Sequence, residues 1–149
     1  MNEPEIRARV RRAVRTLFVR DVALLERDAA ERAIAARLAV HLASVFRDHH
    51  VDVEYNRHGL DPKEVRLPPS CRGGGKRLIV PDIVVHHRGH DGDNLLVVEL
   101  KKRSNHESRV CDRAKIVAMK RELGYQCGVL IVLPAGGEAK GGKADEEWL

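Results

Sequence analysis

The chain has 149 residues, a length that fits one domain with a core of its own. Its net charge of +5 and pI near 9.4 favour an anionic partner. Nucleic acid ranks ahead of a membrane because no apolar run is long enough to span a bilayer; a generic basic protein is the plain alternative. Aromatic residues make up only 3%, so the core has to be aliphatic. So few aromatic faces favour duplex or branched nucleic acid over unpaired bases.

The opening MNEPEIRARVRR is charged throughout and lacks the apolar stretch of a signal peptide. From Pro4 to about Arg47 the composition is helical, as one long helix or two joined near Asp28, with residues 1–29 forming a basic N-terminal segment. VDVEYNR, Val51 to Arg57, alternates apolar and polar residues and predicts a strand. His58 to Arg77 holds three prolines and the run Gly73-Gly74-Gly75, which predicts a long loop. That glycine run is no phosphate-binding loop, since no GK[ST] follows it. Strands are expected at about Leu78–His87 and Asn94–Arg103. Ser104 with Glu107 forms a capping-box pattern that starts a helix running to Leu123, with Gly124 as its stop. Tyr125 to Leu133 is almost wholly apolar and predicts a strand buried on both faces. Residues 134–149 read as a flexible tail, with Trp148 either disordered or docked on a partner. Cys71, Cys111 and Cys127 are odd in number, widely spaced and form no CxxC, which suits unpaired thiols in a reducing cytoplasm. Cys127 is expected to pack in the core.

The chemistry is concentrated in two neighbouring apolar segments, IVPDIVV and LLVVELK. Asp82 interrupts the first; Glu99 and Lys101 interrupt the second. A buried charge costs several kcal/mol unless a counter-charge or metal compensates it. RGHDGDN between the segments has the composition of a hairpin turn. With that turn centred on His90 and Asp91, residues whose numbers sum to 181 face each other, which pairs Asp82 with Glu99. Opposed residues have Cβ atoms about 5 Å apart on one face, close enough for one ion to bridge them. Lys101, two residues beyond Glu99, shares that face.

Glu31 falls in register with Leu17, Leu24, Leu38 and Val45, which aims it at the core as a third carboxylate. The alternative is a bend near Asp28 that turns it into solvent or onto an arginine. The ordered set of Glu31 on a helix, Pro81-Asp82, and Glu99-Leu100-Lys101 resembles the PD-(D/E)XK nuclease superfamily, over roughly Ala30 to Leu133. VDVEYNR and PDIVVHHRG…NLLVVELKK are also similar to a group of small bacterial members. The resemblance implies an αβββαβ restriction-endonuclease-like core over residues 30–133, with a mixed central sheet flanked by helices. It also implies phosphodiester hydrolysis, DNA being the expected substrate, by a metal-activated water. Asp82, Glu99 and Glu31 would then hold Mg²⁺, with Mn²⁺ as a substitute. Lys101 would orient the attacking water and stabilise developing charge. Asp112 and Lys115, a DxxK on the second helix, look like a further signature; Lys115 either touches a phosphate or is solvated.

Specificity would come from Arg66, Arg72, Lys76 and Arg77 with Lys63 in the basic loop, from the N-terminal arginines, from a homodimer or from a partner protein. Such charge runs are equally at home on a plain solvated surface. Glu54 and Asn56, on the face of Asp52, either support the site through hydrogen bonds or lie on an exposed strand face. His86, His87 and His90 cluster at the hairpin, but His86 and His87 point to opposite faces, so a solvated or phosphate-contacting tip is expected there ahead of a zinc site. A non-catalytic nucleic-acid- or partner-binding module, or a nuclease subunit active only in a larger defence or repair assembly, is the competing function.

Overall fold

The computed structural model describes residues 1–149. Helix α1 spans Glu3–Arg20. It starts at a reciprocal cap in which the Asn2 side chain accepts from the Glu5 N–H and the Glu5 side chain accepts from the Asn2 N–H. Its buried positions Ile6, Val10, Ala13, Val14 and Leu17 recur every three or four residues and form one apolar stripe. The helical region then breaks twice, giving a short α2 at Val22–Glu26 and α3 at Glu31–Val45. The breaks fall at Asp21, whose carboxylate takes His41 at 2.5 Å and Arg37 at 3.1 Å, and at Asp28, which has φ +51°. The expected one or two helices are therefore three.

Strand β1 covers His50–Val53 and ends where Glu54 takes φ +52°, shorter than its alternating sequence suggested. The predicted loop contains two hairpins. One pairs β2, Arg57–His58, with β3, Asp61–Pro62; the other pairs β4, Glu64–Leu67, with β5, Gly75–Leu78. The strands had been hidden there by Gly59, Pro68, Pro69, Gly73 and Gly74 in the turns and by Pro62 and Gly75 within the strands themselves. Strand β6, Ile83–His86, and strand β7, Leu96–Lys102, follow and pair antiparallel. Their register is Ile83↔Val98, Val84↔Val97 and Val85↔Leu96, as the turn geometry predicted.

Helix α4 runs from Val110 to Leu123 with Arg109 as its N-cap, five residues later than the capping-box pattern suggested. Ser104 does not cap it: its hydroxyl donates instead to the Asp28 carboxylate at 2.9 Å. The helix stops at Gly124, with φ +73° as expected. Strand β8, Cys127–Leu133, is buried throughout and runs parallel to β7. The last segment is ordered, not a flexible tail: a 3₁₀ turn at Gly136–Glu138 leads to strand β9, Asp145–Trp148, which pairs antiparallel with β8. Trp148 docks within its own chain, beneath the Arg7 guanidinium.

The five-stranded mixed sheet has the order β1-β6-β7-β8-β9. One face, carrying Ile83, Val85, Val98 and Ile131, packs against α1 and α3. The other, carrying Val84, Val97 and Leu130, packs against α4 and the β4–β5 hairpin. The fold class is thus α/β, a sheet between helices, and residues 1–29 and 134–149 contribute to the same core. No helix is long and apolar enough to cross a membrane. Cys71, after β4, and Cys111, in the first turn of α4, form a disulfide with Cα atoms 5.0 Å apart. Three unpaired thiols were expected; the sequence separation of 40 between the two cysteines concealed that the hairpin folds onto the helix start. A reducing compartment inferred from unpaired thiols loses that support. Cys127 is free and buried, as expected.

Candidate active site

Asp82 stands one residue before β6, and Glu99 and Lys101 alternate along β7, so all three meet the α4 side of the sheet. The Asp82 carboxylate accepts the Leu100 N–H at 2.7 Å, which fixes it against the neighbouring strand. One residue beyond the Ile83↔Val98 pair, it lies opposite Glu99. The predicted pairing of the two carboxyls is therefore present, and burial raises the pKa of both. For Asp82, the Leu100 N–H and Lys115 oppose the shift without cancelling it. Glu99, 1% exposed, is pushed up to about 8, with Lys115 opposing and Asp82 adding to the effect of burial. Glu99 Oε1 receives no donor from the protein.

Helix α4 supplies the rest. Asp112, Lys115, Ile116, Ala118, Met119 and Leu123 are its buried face, Asp112, Lys115 and Met119 following one another at steps of three and four residues. Lys115 Nζ lies 3.0 Å from Glu99 Oε2 and 3.4 Å from the Val80 carbonyl. Lys101 Nζ lies 3.3 Å from Asp112 and 3.8 Å from Glu107. Burial pulls the Lys101 pKa down, but Asp112 first, then Glu31 and Glu107, outweigh it and hold the ammonium above its ordinary value. Lys115, expected either to touch a phosphate or to be solvated, is instead buried as the counter-ion of Glu99. The helical period of the DxxK pair with Ile116 and Met119 was the signal for this, and reading the pair as a motif passed over it.

Glu31 is the first residue of α3, so its place in a leucine stripe was an accident of reading three helices as one. It is nonetheless aimed at the sheet. One carboxylate oxygen accepts the Lys102 N–H at 2.7 Å and the other accepts the Asn105 side-chain N–H at 3.0 Å. No hydrogen bond or ion pair joins it to Asp82 or Glu99, so it braces the end of β7 beside the cluster.

Arg66, Arg72, Lys76 and Arg77 all lie exposed on or beside the β4–β5 hairpin, Arg66 directly opposite Lys76. Lys76 pairs with Glu64 at 2.9 Å. Arg66 joins Arg113 and Arg121 along a groove of about 430 Å³ between the hairpin and α4. Lys63, expected in this basic set, is instead 1% exposed, donating to the Arg57 carbonyl at 2.6 Å and to the Tyr125 hydroxyl at 3.2 Å. Burial lowers its pKa to about 8.

Glu54 pairs with Arg32, and Asp52 binds Arg88 and His86, the latter at 2.9 Å; neither side chain reaches the Asp82 carboxylate, although the Glu54 N–H donates to the Asp82 carbonyl at 3.1 Å. His86 is buried and His87 half-buried on the opposite face, as their alternation implied. No protein-family model, curated protein or solved structure matches the chain.

Proposed function

We propose that the protein is a metal-dependent nuclease with a restriction-endonuclease-like core, acting on DNA. The observation that carries this reading is the Asp82–Glu99 pair, set side by side at the end of two apolar strands with Lys101 on the same face. The order α3, β1, β6, β7, α4, β8 supports it as well, because it reproduces the αβββαβ sequence of that core.

The donor set suits Mg²⁺: two carboxyls offer hard oxygens, and one buried oxygen of Glu99 has no donor in the protein. Asp82 and Glu99 would hold the ion, Mn²⁺ substituting. When bound, it supplies a Lewis acid for a phosphoryl oxygen and makes an attacking water more acidic. Lys101 holds a positive charge where charge develops on the phosphate, and Asp112 orients its ammonium. Lys115 keeps Glu99 in place through its ion pair. Glu31 fixes the end of β7, and with it Lys101, through the Lys102 N–H.

A second reading has its own observation. Both ammonium groups are satisfied by carboxylates from within the chain, and none of the surface grooves opens onto the cluster. That arrangement fits a non-catalytic nucleic-acid-binding module, or a subunit activated by a partner protein or as a homodimer. Cleavage of plasmid and branched DNA with Mg²⁺ or Mn²⁺ separates the readings. Asp82→Ala and Lys101→Ala should each lower the rate by roughly 100-fold or more, the scale lost with one charge-stabilising group. Binding without cleavage in either metal selects the module, and cleavage only with added partner selects the subunit.

A further inference from the structure

The opposite end of the sheet carries a second constellation. His49 lies in the turn before β1, His87 directly follows β6, and Asp93 lies in the turn before β7. Nε2 of His49 is 2.8 Å from Asp93 Oδ2, and Nε2 of His87 is 3.3 Å from the same oxygen. The two rings stack with centroids 4.7 Å apart, and one ligand atom from each of the three residues falls within a 4.8 Å cluster. We propose that His49, His87 and Asp93 form a Zn²⁺ site.

The donor spacing supports this. With zinc–nitrogen and zinc–oxygen bonds of about 2.0–2.2 Å, a tetrahedral centre places its donors about 3.4 Å apart. The 3.3 Å separation of His87 from Asp93 matches that value, and the 2.8 Å contact of His49 with Asp93 is a hydrogen bond that opens by about 0.6 Å to admit the ion. Two imidazoles and one carboxylate select zinc over magnesium, which prefers oxygen donors alone. The side chain of His49 is only 9% exposed, and its Nδ1 has no hydrogen-bond partner. Nothing on Nδ1 fixes the tautomer, so an ion replacing the Nε2–Asp93 hydrogen bond takes the Nε2 lone pair as the ring proton moves to Nδ1. Asp93 and His87 face solvent, which leaves the fourth position to water. A bound ion would tie the α3–β1 turn to the β6–β7 turn.

The site is independent of the nuclease reading. His87 is five residues along the strand from Asp82, about 17 Å at the rise of an extended chain. The test is a Zn²⁺ titration of the whole chain in competition with a chromophoric chelator, paired with Co²⁺ loading followed by visible absorption. Wild type and Asp82→Ala should each bind one zinc ion at this site with equal affinity. His87→Ala and Asp93→Asn should weaken it at least tenfold, and Asp93→Asn should abolish the Co²⁺ band. Asp93 is 47% exposed, so its substitution leaves the fold intact and keeps the test decisive should the His87 variant misfold. Absence of zinc binding by the wild type overturns the site. So does binding that survives both substitutions, since it would then belong to other surface histidines.

Discussion

Lys63 shows what burial does to a single side chain. The ammonium is enclosed between Tyr55 and Tyr125, 5.1 and 5.5 Å from their ring centres, with one carbonyl and one hydroxyl as partners. Its folded pKa of about 8 lies below the unfolded value of 10.5. Above the unfolded pKa both states are neutral and the lysine costs nothing on this account; as pH falls through the folded pKa, the full penalty of burying the charge is incurred. Stability should therefore rise between about pH 8 and 10.5, by up to about 1.4 kcal/mol per pH unit. Tyr125, which burial pushes above its ordinary value, stays protonated through the lower part of this window. Denaturant unfolding across the window should show the rise in the wild type and a flatter profile in Lys63→Met; equal slopes would refute it. The sequence could not disclose this lysine, because its neighbours in the chain are polar and its enclosure comes from Tyr125, far along the chain. Asp82 and Glu99 were legible for the opposite reason: they interrupt apolar strands, and a turn of recognisable composition set their register.

Among the elements, α4 and β8 depend on one missing side chain. A Cβ built on Gly128 would lie 2.2 Å from Ile116 Cγ2 and 3.3 Å from Val97 Cγ1, so the helix approaches the strand where only hydrogen fits. Gly128→Ala should displace α4 and cost about 1–3 kcal/mol, read as a lowered unfolding midpoint. Because Lys115 and Asp112 travel with that helix, the same variant should loosen the charged cluster. Element types were largely readable from composition and apolar runs, as in α1, β7 and β8. Boundaries failed where side chains found partners outside the local pattern. Ser104 is taken by Asp28 and so cannot cap α4, and the acidic segment before Trp148 becomes a strand because β8 offers it an open edge. Neither partner is within reach of a local reading.

At the scale of the molecule, the positive balance of +5 is partly spent inside, on Lys63, Lys101 and Lys115, and partly displayed on the β4–β5 hairpin. On the nuclease reading, the displayed part grips phosphates. DNA affinity should then fall with salt, and replacing Arg66 and Lys76 by alanine should reduce the log–log slope by about two, whatever the DNA sequence. An unchanged slope would move the contact surface elsewhere. The pairing of Cys71 with Cys111 has a topological corollary. It closes a covalent ring holding β5, β6 and β7, and hence Asp82, Glu99, Lys101, His87 and Asp93 together. A protease cut at the Gly89–Gly92 tip would open the backbone yet leave two fragments that cannot diffuse apart. Both charged ends of the sheet would survive such a wound until a reductant released them.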